Sequence, residues 1–82
     1  MDEPDIAEIL VDARGHRCPV PTLRLRRALA QAPAGARLRL LADDPLARID
    51  VPHFLGEVGS TLTGVSEKDG ALCFLIVKRA PR

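Results

Sequence analysis

The 82-residue sequence has no tryptophan, no tyrosine and only two phenylalanines. A core built without aromatic bulk must come from Leu, Val, Ile and Ala, and the platforms on which nucleic-acid binders stack bases are missing. Two cysteines, Cys18 and Cys73, are too few and too far apart to read as the disulfide framework of an exported miniprotein. Reduced thiols are the simpler reading. No Cys-x-x-Cys pair occurs. No apolar run reaches the roughly 18 residues that would suggest a bilayer span. The acidic start Met1-Asp2-Glu3-Pro4-Asp5 lacks the basic region of a secretory signal. The expected address is cytoplasmic, with no membrane partner. No repeat, low-complexity tract or linker interrupts the chain.

What remains is a globular composition, 46% hydrophobic and 28% charged with a formal net charge of +1, which argues against disorder. The length suits one small domain over 1–82, with a core at about 7–79. A domain this small buries only about 60% of its unfolded surface, so the core must be compact. Charge is unevenly spread. Residues 1–12 hold five acids and no base, whereas residues 14–39 hold seven arginines and no acid. Cys18 lies inside that basic segment. Arginine outnumbers lysine 10 to 2, which we read as coding bias before mechanism.

Hydrophobic periodicity gives the order β-α-β-α-β-β. Alternation predicts a strand over Ala7–Ala13 with Ile9, Val11 and Ala13 inward, although Leu10 blurs the pattern. Arg14-Gly15-His16-Arg17 is a loop. A helix follows from about Pro19 to Ala32, with Leu25, Ala28, Leu29 and Ala32 on one face, ended by Pro33-Ala34-Gly35. Ala36–Leu41 is a second strand, with Leu38 and Leu40 inward and Arg37 and Arg39 outward. Ala42-Asp43-Asp44-Pro45 supplies caps and a helix-starting proline. Leu46 and Ile49 then form one apolar cluster, and Val51, Phe54, Leu55 and Val58 another. Pro52 between them predicts a short turn and a fresh helix, closed by Gly59. Asp69-Gly70 between Leu62–Glu67 and Leu72–Lys78 signals a hairpin. Its last strand is apolar on both faces, so it sits mid-sheet or its second face meets something else. The expected architecture is a two-layer α/β sandwich, a mixed four-stranded sheet with two helices packed on one face and a parallel first pair joined by a right-handed crossover.

The chemistry concentrates in Cys18-Pro19-Val20-Pro21, where strand one hands over to helix one. Two prolines would disrupt a helix interior but cost little in a first turn, whose N–H groups have no intrahelical partner. Cys18, pushed to extended angles by Pro19, suits the N-cap. A helix N-terminus and nearby guanidinium groups favour thiolate over thiol. Arg14 and Arg17 lie just upstream and Arg24 can reach back over the first turn, so the expected Cys18 is more nucleophilic than an ordinary thiol. An isolated Cys-Pro is often no more than a helix start. The second proline, the acid-free arginine segment and the exposing loop favour function.

The run Asp12-Ala13-Arg14-Gly15-His16-Arg17-Cys18-Pro19-Val20-Pro21 resembles the signature of the TusA/SirA sulfur-carrier family. The similarity continues through Arg26-Arg27-Ala28-Leu29, Gly35, Ala42-Asp43-Asp44-Pro45, Asp50-Val51-Pro52-His53-Phe54 and Phe74-Leu75-Ile76-Val77-Lys78, from about Ile9 to Lys78. The resemblance implies a βαβαββ sandwich whose CPxP cysteine, here Cys18, carries sulfur as a persulfide within the frame of Pro19 and Pro21. It implies a sulfur donor of the cysteine desulfurase or rhodanese type and an acceptor protein. The uses it implies are tRNA thiolation, molybdenum-cofactor metabolism and sulfur oxidation. Such a sulfurtransferase relays sulfur and does not turn over alone. No cofactor is expected beyond the covalent persulfide sulfur. Arg14, Arg17 and Arg24 are candidates for anion or partner contacts. His16 stands where the family usually has an apolar residue, and reads as a loop histidine. Leu55 stands where members often carry a further Cys or another residue.

Other readings rest on less. Cys73 lies in the most apolar stretch and is expected to be a small buried hydrophobe. His16, Cys18, His53 and Cys73 match no structural zinc spacing, so no metal is expected. A nucleic-acid-binding or regulatory interaction module using the arginine-rich face, with Cys18 dormant, is the main alternative. The near-neutral net charge and missing aromatics weigh against it, and a basic patch beside a thiol suits docking to an acidic protein equally well.

Overall fold

The computed structural model describes residues 8–79, and the elements follow one another as β1 (Glu8–Asp12), α1 (Val20–Gln31), β2 (Arg37–Ala42), α2 (Ala47–Val58), β3 (Thr61–Lys68) and β4 (Ala71–Val77). The expected Ala7 start of the first strand lies outside the described residues. The four strands form one sheet in the order β1-β2-β4-β3. β1 and β2 are parallel, and β4 pairs antiparallel with both β2 and β3. The strand that is apolar on both faces is therefore central, because both its edges are hydrogen-bonded.

Register sorts the side chains into two faces. Ile9 pairs with Leu38 and Val11 with Leu40. Leu38 in turn faces Ile76, Leu40 faces Phe74 and Ala42 faces Leu72. These residues make one apolar face, and Leu25 and Leu29 of α1 join it in a single core with Ala47, Val51, Phe54 and Leu55 of α2. The mixed α/β sandwich is as the alternation implied, with Leu38 and Leu40 in and Arg37 and Arg39 out. Leu10, which blurred the first strand, is 60% exposed on the other face. That face also carries Cys73, paired with Leu41 and half-buried. The expectation of a fully buried Cys73 is corrected: a central strand has two faces, and the helices cover only one.

The hairpin follows its signal. Asp69 and Gly70 both have positive φ, 53° and 81°, the geometry a two-residue turn needs to match the twist of its strands. Gly59 ends α2 in the left-handed conformation at φ 76°, where its N–H donates to the Leu55 carbonyl.

The second helix departs from expectation in two ways. It runs unbroken through Pro52, which lies inside it. Pro52 has no N–H to give to the carbonyl of Arg48, one turn earlier on an exposed residue. Buried Val51, Phe54 and Leu55 fix the helix on both sides of it. Leu46 and Ile49 form no apolar cluster: they are 54% and 68% exposed, on the side of the helix that turns away from the sheet.

Phe74 has no exposed surface and stands at the centre of the buried face. Phe74→Ala should lower unfolding free energy by about 3–5 kcal/mol, whereas Leu46→Ala should stay within about 0.5 kcal/mol of the parent. Urea denaturation followed by circular dichroism checks both. A large loss at Leu46 would contradict its assignment to the surface.

Candidate functional site

β1 and β2 are parallel neighbours, so their C-terminal ends lie side by side and the loops that leave them meet. The first loop carries Arg14 to Pro19, the second Asp43 to Leu46. Two acids of the second loop hold the first. The amide N–H of Gly15 donates to both carboxylate oxygens of Asp43 at 3.0 Å. The N–H of Cys18 donates to Asp44 Oδ2 at 2.7 Å. The other oxygen of Asp44, Oδ1, accepts from the N–H of Leu46 at 3.0 Å. One carboxylate thus fixes the backbone of Cys18 and the approach to α2 together. These bonds favour its charged form, and with Arg17 nearby they hold the Asp44 pKa below the ordinary carboxylate value. Gly15 has φ 85°, a conformation that glycine adopts without a Cβ penalty.

The N-cap of α1 is Pro19, not Cys18, and Pro21 is buried in the first turn. The Cys18–Pro19 peptide bond is cis. Cys18 is half-buried and packs against the hydrophobic core. Both cysteines are free.

The electrostatics around the thiol reverse the expectation. Burial pushes the Cys18 thiol up to about 11, assisted by the nearby Asp50 carboxylate and by the negative charge of Asp44. At neutral pH the sulfur is therefore protonated, with Asp50 of the first turn of α2 beside it. The arginines that were to favour a thiolate are engaged elsewhere. Arg14 donates to both oxygens of Asp12, from Nε at 2.9 Å and Nη2 at 2.8 Å, which holds the Asp12 carboxyl down at about 2. Arg24 Nη1 donates to the Asp12 backbone carbonyl at 3.5 Å. Of the three, Arg17 remains beside the loop that carries Cys18, close enough to act on Asp44.

Asp43, Asp44 and Asp50 are the residues that sequence reading underused. Asp43 and Asp44 read as helix caps and Asp50 as a motif element. The signal that would have found them is topological: an Asp-Asp-Pro directly after the second strand of a parallel pair must lie beside the loop that follows the first. An open cleft of about 500 Å³ borders the site, lined by Gly15, His16, Arg17, Asp43, Asp44, Pro45 and Leu46. His16 is a half-buried loop residue there. His53 lies on the exposed side of α2, 3.3 Å from Glu57. Among the described residues no three His, Cys, Asp or Glu side chains are grouped to hold a metal, and no helix is long and apolar enough to cross a membrane.

The sequence matches the profile of the family described as "Sulfurtransferase TusA" over residues 9–78. A sulfur carrier protein TusA of Pseudomonas entomophila is 35% identical over 75 residues, covering 92% of this chain and 94% of its own. Its counterpart in Pseudomonas syringae is 33% identical over 84 residues, with 98% and 99% covered. The crystal structure of a SirA-like protein from Desulfitobacterium hafniense superposes with a TM-score of 0.77 at 32% identity, over 87% of this chain and 97% of that one. The matched region contains both loops of the site and all six elements from Ile9 onward, and the chain belongs to the TusA family of sulfur carriers.

Proposed function

We propose that the chain accepts sulfane sulfur on Cys18 as a persulfide and relays it to an acceptor thiol on another protein. The observation that carries this reading is the setting of Cys18: a half-exposed thiol at the head of α1, its backbone fixed by Asp44 and its sulfur beside the Asp50 carboxylate. In the transfer, the Cys18 S–H proton passes to Asp50 and the sulfur attacks the outer sulfur of a donor persulfide. The donor's S–S bond breaks and a new one forms on Cys18. The donor leaves as thiolate and recovers the proton from Asp50. Sulfur carried this way changes hands without any net oxidant. The reverse geometry serves delivery, with the acceptor thiolate attacking the outer sulfur of Cys18-S-SH. Pro19 and Pro21 stiffen the first turn that presents the sulfur. Arg17 is the candidate for contact with the persulfide anion or a partner.

Intact-mass spectrometry tests carriage. After incubation with a cysteine desulfurase and cysteine, or with a rhodanese and thiosulfate, the parent chain and Cys73→Ser should each gain the mass of one sulfur atom, and Cys18→Ser should gain none. Sulfur retained in Cys18→Ser, or none on the parent with either donor, would refute the assignment and leave Cys18 dormant.

Asp50 is placed in two opposing roles, which makes it separable. Its charge raises the thiol pKa, so Asp50→Asn should move that pKa down from about 11. Each unit of that fall raises the thiolate fraction at pH 8 about tenfold, and iodoacetamide alkylation should quicken, somewhat less than the thiolate gain because a weaker base is a weaker nucleophile. If Asp50 also accepts the proton, sulfur uptake from the desulfurase should slow by roughly tenfold or more in the same variant. Alkylation and uptake rising together would assign Asp50 an electrostatic effect alone.

A further inference from the structure

At the opposite end of the helical layer from Cys18, the C-terminal halves of α1 and α2 and the segment leaving β4 enclose a cleft of about 260 Å³. Its floor is apolar, made by Leu29, Phe54 and Val58, and three cations, Arg26, Lys78 and Arg79, stand around it. Among the described residues no acid lines it. The site differs in kind from the one that holds Cys18, where carboxylates surround the sulfur.

Two of the cations make contacts that position them, and the third lies over a glycine. Arg26 lies over the Phe54 ring, its guanidinium carbon 5.2 Å from the centroid. A guanidinium has its donors in its own plane, so contact with a ring face leaves N–H groups for an anion. Lys78 Nζ donates to the Ala32 carbonyl at 2.6 Å, which satisfies an end of α1 whose orphan carbonyls would repel a negative group and leaves two further N–H donors. Arg79 crosses Gly59, where a Cβ would stand 2.8 Å from its Nη1. Gly59, with no side chain, leaves room for the guanidinium at the edge of the cleft.

We propose that this cleft binds a small amphipathic carboxylate, with its hydrocarbon body on Leu29, Phe54 and Val58 and its carboxylate between Arg79 and Arg26. The concavity is bounded by three segments, and its volume of about 260 Å³ lies just below the usual range of small-molecule sites, which limits it to a small occupant. That shape takes a free organic acid in preference to a flat protein surface. Positive charge alone would accept inorganic anions, and an apolar floor alone would accept alcohols. Only a molecule with both features satisfies both parts of the lining.

The test is a titration of the uniformly ¹⁵N-labelled full chain, followed by amide shifts, with octanoate, octanol and octylammonium in parallel at low ionic strength. Octanoate should shift the amides of Ala30, Val58, Ser60 and Arg79 in a saturable way. Octanol should bind more weakly and octylammonium not at all. Arg79→Ala and Arg26→Ala lie on the exposed surface and should fold. Each should weaken octanoate at least roughly fivefold, and high salt should narrow its advantage over octanol. Equal response to all three probes, shifts centred elsewhere, or affinity unchanged in both variants would overturn the proposal. So would saturable binding of a short peptide with a C-terminal leucine where octanoate produces no shift, since the occupant would then be a protein segment.

Discussion

The Asp44 carboxylate is the joint on which the site depends. One oxygen receives the N–H of Cys18 and the other the N–H of Leu46, so a single side chain ties the start of each helix to the other. Remove it and two backbone donors lose a charged acceptor at the place where α1 and α2 leave the sheet. Asp43 repeats the device one residue earlier, on Gly15. Neither acid makes a described ion pair with a neighbouring base; their charge is spent on backbone amides. Because those bonds depress the Asp44 pKa, the sign of the linkage is set: the clasp is complete above the ordinary carboxylate range and is lost as pH falls through the depressed value. The loop that presents Cys18 is therefore at its most ordered at neutral pH, where a carrier would work.

The same joint explains the state of the sulfur. Organising Cys18 from the α2 side brings acids to it, and both Asp44 and Asp50 oppose ionisation of a thiol that burial already disfavours. A protonated thiol is a weak nucleophile toward adventitious electrophiles. Loss of its proton is then the step that sulfur transfer requires, and on the proposed mechanism Asp50 supplies the acceptor at the moment of contact. On that mechanism a sulfur relay gains from the protonated state: a permanently ionised thiol would be open to oxidation in the interval between delivering one sulfur and accepting the next.

How far the sequence could be read follows from which forces are local. Leu38 and Leu40 against Arg37 and Arg39 declare a strand with one buried face, because alternation is a property of consecutive residues. Asp69-Gly70 declares its turn because both positions need positive φ. The CPxP run placed Cys18 just before the head of a helix for equally local reasons, one residue ahead of the observed N-cap Pro19. The arginine-rich segment misled because charge along the chain is not charge in space. Arg14 and Arg24 turn back to Asp12, at the end of β1, while acids 26 and 32 residues beyond Cys18 close on the thiol. Pro52 misled because its local cost is outweighed by Val51, Phe54 and Leu55, whose burial depends on the whole sheet. Leu46 and Ile49 misled in the opposite sense, since spacing alone cannot say which side of a helix meets the core.

Topology then decides where chemistry can occur. In a β-α-β-α order with β1 and β2 parallel, both helices must begin at the same end of the sheet, and both strand-to-helix loops must adjoin there. The backbone N–H groups at the head of α1, the sulfur of Cys18 and the carboxylates of the β2–α2 loop are concentrated at that end by connectivity, before any side chain is chosen. Open sheets with parallel strands place ligands beyond the carboxyl ends of those strands for the same reason. Here the second loop holds the first, while burial and Asp50, in the helix that the second loop leads into, keep the sulfur protonated. The other end of the layer receives the helix C-termini and the exit of β4, where Lys78 meets the Ala32 carbonyl. Arg26, Lys78 and Arg79 stand around the cleft at that end, whereas Asp43 and Asp44 clasp the loop of Cys18 at this one.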